Sequence, residues 1–114
     1  MADGVAVATE AGGLTALVEV SPGQAGPNKL AVTLGRTSGA ALSPPSEVWA
    51  EFEQAAAGVG PIRRQLRPEG GGRFVHDGPE FAVPGRWSVR VDVLVGDFEQ
   101  VSLEVGVDLR PAGP

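Results

Sequence analysis

Apolar and polar residues alternate strictly from Arg86 to Val93, and the apolar face runs on to Val95. Trp87, Val89, Val91, Val93 and Val95 fall on one side, and Arg86, Ser88, Arg90 and Asp92 on the other. A period of two is the mark of a half-buried β-strand, and Pro84-Gly85 just ahead supplies a turn. The apolar side is long enough to floor a core. The same period recurs along the chain. Leu14, Ala16, Val18 and Val20 alternate with Thr15 and Glu19, and Leu30, Val32 and Leu34 with Lys29, Ala31 and Thr33. From Glu47 to Glu53, the pattern predicts Val48, Ala50 and Phe52 inward and Glu47, Trp49, Glu51 and Glu53 outward. Near the end, Val101, Leu103, Val105 and Val107 are expected inward, with Gln100, Ser102 and Glu104 outward.

Between these runs lie clusters that favour turns over strands: Ser21 to Pro27, Gly35 to Pro45, Ala55 to Pro61, Pro68 to Gly72 and Gly96-Asp97. Two segments are more equivocal in pattern. Ile62 and Leu66 flank arginines in a polar strand suited to a sheet edge, and a strand from Phe74 is expected to break at Asp77-Gly78-Pro79 and resume through Phe81 and Val83. Helical periodicity is nowhere sustained. About seven antiparallel strands separated by turns predict an all-β fold, an immunoglobulin-like (fibronectin-like) β-sandwich. The expected organisation is a flexible lead or edge strand over residues 1–13, the sandwich over 14–107, and a C-terminal tail over 108–114. The Arg86 strand is expected between the Glu47–Glu53 strand and the last strand, with Arg86 and Arg90 opposite Glu47, Glu51 or Glu53.

Composition changes this picture mainly by exclusion. The formal net charge of −5 argues against a nucleic-acid footprint. Arg63, Arg64, Arg67 and Arg73 form the one local basic excess, read as solvated strand edges, with an anion or lipid-headgroup site as the sharper alternative. With Cys at 0, redox compartment is left open and no disulfide is available. No stretch approaches the roughly 20 apolar residues of a membrane helix, so direct membrane insertion by this segment is not expected. Met1-Ala2-Asp3-Gly4 has neither the basic nor the apolar region of a secretory leader, and such an abrupt start is expected of a piece of a larger protein.

Candidate chemistry is sparse. The chain has one His and no Tyr, so a Ser-His-Asp set could use only His76, whose neighbour Asp77 points to the opposite face of a strand. Gly70-Gly71-Gly72 lies between strands with no helix after it to hold phosphate, and Glu51 and Glu53 share a solvated face with arginines. No enzymatic activity is expected. His76 has two readings: a histidine hydrogen-bonded beside the Asp77-Gly78-Pro79 kink, or a metal ligand with Asp77 or Glu80, a donor set poor for Cu(I) and short of nitrogen for Cu(II). Trp49 falls outward by parity. It marks either a docking surface, or a cover for arginine stems, or a bulge that turns it inward.

Two longer stretches carry a family likeness: "GLTALVEVSPGQAGPNKLAVTL" and "VGPIRRQLRPEGGGRFVHDGPEFAVPGRWSVRVDVLVGDF". In order come Pro, Gly-Pro-Asn and an alternating tail, then a Gly-aromatic step, a Pro-Gly-x-Trp turn and a closing Asp-Phe. In these features the sequence resembles the extracytoplasmic C-terminal YtkA-like domain of bacterial copper resistance D and copper transport proteins, over about Leu14 to Val107. The resemblance implies a non-catalytic β-sandwich facing the periplasm or cell exterior, attached to the plasma membrane in its parent protein. It implies contacts with the membrane portion of the parent or with a copper-delivering protein. His- and Met-rich ligand motifs of the related copper carriers have no counterparts here, so no cofactor is expected, with copper as the possible exception. The alternatives are a weak copper-binding module centred on His76 and a structural spacer. A docking role needs an apolar patch near Trp49 or Leu17, and a metal role needs donors converging on His76.

Overall fold

Strands form at the clearly alternating runs and in two further places, and one expected stretch, through Phe81 and Val83, is not a strand. The structure, a computed structural model, describes residues 4–95 and 99–112. The strands are β1 (Val5–Ala11), β2 (Leu14–Ser21), β3 (Asn28–Arg36), β4 (Glu47–Gln54), β5 (Val59–Gln65), β6 (Arg67–Gly70), β7 (Arg73–Gly78), β8 (Gly85–Leu94) and β9 (Gln100–Leu109). They make two antiparallel sheets, ordered β1-β2-β3-β7-β6 and β5-β4-β8-β9. Within these, β2-β3-β7-β6 and β4-β8-β9 reproduce the two-sheet strand order of immunoglobulin-like sandwiches. The fold is therefore the all-β sandwich expected, with β8 between β4 and β9 as expected.

Parity held along the central strands because one face of each is buried, which pins the register. Trp87, Val89, Val91 and Val93 of β8 are fully buried, as are Val48, Ala50 and Phe52 of β4 and Val18, Val20, Leu30 and Val32 of the facing sheet. The Trp87 indole N–H donates to the Val83 carbonyl at 2.9 Å, so the largest core side chain leaves no polar atom unpaired. Phe81 meets the Trp87 ring and the Phe52 ring edge-on, each at 5.1 Å between centroids. These three aromatics fill one end of the core.

Of the two readings of the lead, an edge strand forms over residues 5–11: β1 pairs with β2 from Val5↔Val20 to Ala11↔Leu14, turning at Gly12 and Gly13, both with positive φ. Three expectations are corrected. At the other end, β9 continues through Asp108 and the buried Leu109, and Arg110 bridges to Gln24. Paired structure thus runs from Val5 to Arg110, wider than 14–107. The single polar strand around Ile62 is two strands on different sheets. Buried Leu66 sits at the crossing, its N–H donating to the Val48 carbonyl, and β6 beyond it contains Pro68 and Glu69, residues expected in a turn. The Phe74 strand ends at Gly78 and does not resume: Phe81 is buried from a loop, whose carbonyl accepts from Gly26 N–H. The count is accordingly nine strands among the described residues. The Gly96-Asp97 turn lies outside the described residues.

Candidate functional site

His76 sits on β7 opposite Leu30, on the inner side of its sheet, and its ring stacks on Phe52 with 6.3 Å between centroids. Its Nε2 lies 3.1 Å from Glu80 Oε1, and Glu80 Oε2 accepts from Arg64 Nε at 3.1 Å. Arg64 pairs opposite Ala50 and so shares the inner face of the other sheet. The three side chains form a polar clasp across the β5/β7 edge of the sandwich. Asp77 points the other way, to Arg67 at 2.9 Å, and the Arg67 hydrogen bond holds its carboxyl below the usual range. Only two donors, His76 and Glu80, adjoin. No set of three or more His, Cys, Asp or Glu converges anywhere among the described residues. This donor set does not fit a resident copper ion.

Trp49 lies half-buried on the outer face of the β5-β4-β8-β9 sheet. Its Nε1 donates to Glu47 Oε1 at 2.8 Å, and the Arg63 guanidinium covers the ring at 4.8 Å from its centroid. Beside it, Asp92 is a carboxylate on a nominally outer face that is nonetheless 1% exposed. Cross-strand register explains this. Trp49, Asp92 and Ser102 occupy one row, Arg63, Glu51, Arg90 and Glu104 the next, and the long side chains of the second row fold over the first. Asp92 accepts from Arg63 Nη1 at 2.6 Å, Ser102 Oγ at 2.7 Å, and Arg90 Nε and Nη2 at 3.1 and 3.3 Å. Burial pushes the carboxyl up, but the bonds from Arg63, Ser102 and Arg90 outweigh it and hold Asp92 below the usual carboxylate range. Arg90 also reaches Glu51 at 2.8 Å, as the alternation predicted. Arg86, in contrast, meets Asp108 of β9, because the β4–β8 ladder ends at Ser88.

The basic excess is consumed internally. Arg63 pairs with Asp92, Arg64 with Glu80, Arg67 with Asp77, and Arg73 with Glu19 and Glu69. On the β3/β7 outer face, these pairs roof over Ala31 and Val75, which are buried there. Every buried side-chain nitrogen or oxygen among the described residues has a partner.

One large apolar side chain stands exposed among the described residues: Leu17 of β2, at 39%. It borders an open concavity of about 540 Å³ on the outer face of β1, β2 and β3, lined also by Ala8, Thr15, Thr33 and Gly35. The hollow exists because Leu17 is flanked in its own cross-strand row by Ala8 and Thr33, and Thr15 by Gly35, all shorter than Leu. No helix is long and apolar enough to cross a membrane among the described residues. These features define a small immunoglobulin-like sandwich domain whose buried polar atoms are paired among the described residues and whose β1-β2-β3 face carries an open hollow beside Leu17. No family model matches the chain, and neither a curated protein nor a solved structure does so.

Proposed function

We propose that this is a non-catalytic, extracytoplasmic accessory domain of a membrane copper transport or resistance protein, acting through protein contacts. Support comes from two sources of different kind. The copper connection rests on the ordered motifs quoted above, and the sandwich is the fold that likeness implies. The contact role rests on the contrast between buried polar side-chain atoms, which all have partners among the described residues, and the hollow around the exposed Leu17, over which no described residue folds. Trp49 is the weaker docking element, since its ring already lies beneath Arg63.

The occupant proposed for the hollow is an apolar segment at the surface of the parent's membrane portion. Hydrogen exchange of the domain, alone and with that membrane portion in detergent, tests the reading. Protection over β1 to β3 that is lost with Leu17→Ser supports it; exchange unchanged by the membrane portion sinks it. A second reading, copper binding at His76, draws on the 3.1 Å approach of His76 to Glu80. It requires Arg64 to release Glu80 and further donors to arrive with the metal.

A further inference from the structure

The two long edges of the sandwich are finished differently. On one side, β5 carries Pro61, Arg63 and Arg64 and β6 carries Arg67 and Pro68. Both pair with slipped register, and the Arg64–Glu80–His76 clasp closes the gap between the sheets. Prolines, positive charge and irregular pairing are the devices by which sheet edges avoid recruiting further strands. The other side has none of them. β1 contains no proline and no basic residue, and its ladder with β2 is unbroken over all its residues. Its outer edge pairs with no strand among the described residues. β1 lies alongside β9 of the other sheet, and Val5, Val7 and Ala11 of β1 and Val101 of β9 pack against the core while only partly buried.

We propose that a second copy of this chain covers this edge, by antiparallel pairing of β1 with its counterpart about a two-fold axis at Ala8. Self-pairing in this register is complementary in charge and size. Ala8 faces the partner's Ala8, Val7 the partner's Thr9, and Val5 the partner's Ala11. The single charged residue of β1, Glu10, faces the partner's Ala6, so no like charges oppose. Inward-facing valines continue one core across the axis. On the outer face, Leu17, Ala8, the partner's Ala8 and the partner's Leu17 fall in one row, which joins the two Leu17 hollows into a single surface. Such a short edge pairing belongs with the small, reversible interfaces, with a Kd expected at about micromolar or weaker.

Sedimentation velocity on the 114-residue chain, from about 1 µM to about 1 mM, reads the association directly. A monomer–dimer equilibrium is expected. Ala8→Lys and Ala8→Glu should each weaken it at least about tenfold by placing like charges face to face. An equimolar mixture of the two variants should recover a heterodimer, which only a register centred on residue 8 explains. Ala8 is exposed, so both variants should keep the wild-type circular dichroism. If either fails to fold, amide exchange of wild-type β1 at low and high concentration decides instead, with concentration-dependent protection expected. A chain that stays monomeric to about millimolar, a dimer indifferent to both substitutions, variants that do not cross-pair, open-ended assembly, or β1 protection independent of concentration would each overturn the proposal.

Discussion

Replacing Asp92 by asparagine should be among the most costly single-atom-scale changes in this domain. The carboxylate is 1% exposed and gathers four hydrogen bonds, two per oxygen. Asparagine retains an acceptor toward Ser102 Oγ and Arg90 Nε. At the other position its NH₂ meets Arg63 Nη1 and Arg90 Nη2, donor against donor. Two charge-assisted bonds are lost, each worth roughly 1.5–3 kcal/mol. The Arg63 and Arg90 side chains are 39% and 42% exposed and can recover water, so the lower end applies and the total is about 3 kcal/mol. For a domain of this size, that corresponds to a fall of roughly 12 °C in Tm. The folded-state pKa of Asp92 lies below its ordinary value of 3.8, so its contribution is complete above that value and fades as pH falls through the folded pKa. Thermal unfolding followed by tryptophan fluorescence, for wild type and Asp92→Asn from neutral to acid pH, measures both effects. A Tm loss smaller than about 3 °C, or a gap between the two proteins that does not narrow in acid, would refute the reasoning.

Other outcomes follow from the same physics. Asn28 accepts from Gly23 N–H and donates to the Gln24 and Gly26 carbonyls while 6% exposed, so Asn28→Ala should cost about 2–3 kcal/mol in urea unfolding and loosen residues 22–27. Trp87→Phe removes the bond to Val83 and leaves a void beside Phe81, which should lower stability by about 2 kcal/mol, read from the same melts. Leu17→Ser should leave Tm within about 2 °C of wild type, because the side chain it replaces is already open to water.

The strands legible in the sequence are those with one face sealed by the opposite sheet. Trp87 and the valines of β8, or Val48, Ala50 and Phe52 of β4, can only lie as they do without exposing the core. β1 was ambiguous because its side chains are small and its inward face is only half covered, so local pattern did not separate a paired edge from a trailing lead. The sheet change at Leu66 had no local mark either. It depends on Leu66 reaching the Val48 backbone in one sheet while Arg67 pairs with Val75 in the other. Alternation placed Trp49 and Asp92 on the same outer face and could go no further. That Asp92 is buried there depends on which rows Ser102, Arg63 and Arg90 occupy, a property of strand register rather than of any one segment. The inward parity of His76 was readable, but its partner Glu80 comes from a loop that the pattern assigned to a strand.

Whether the domain handles copper itself or serves by contact is decided most directly by calorimetric titration of the purified chain with Cu(I) and Cu(II), alongside His76→Ala. An accessory domain whose lone histidine is committed to Glu80 and Phe52 predicts no stoichiometric binding tighter than about micromolar, in either protein. Stoichiometric binding tighter than that, abolished by His76→Ala, would contradict the account and make His76 the centre of a metal-handling module.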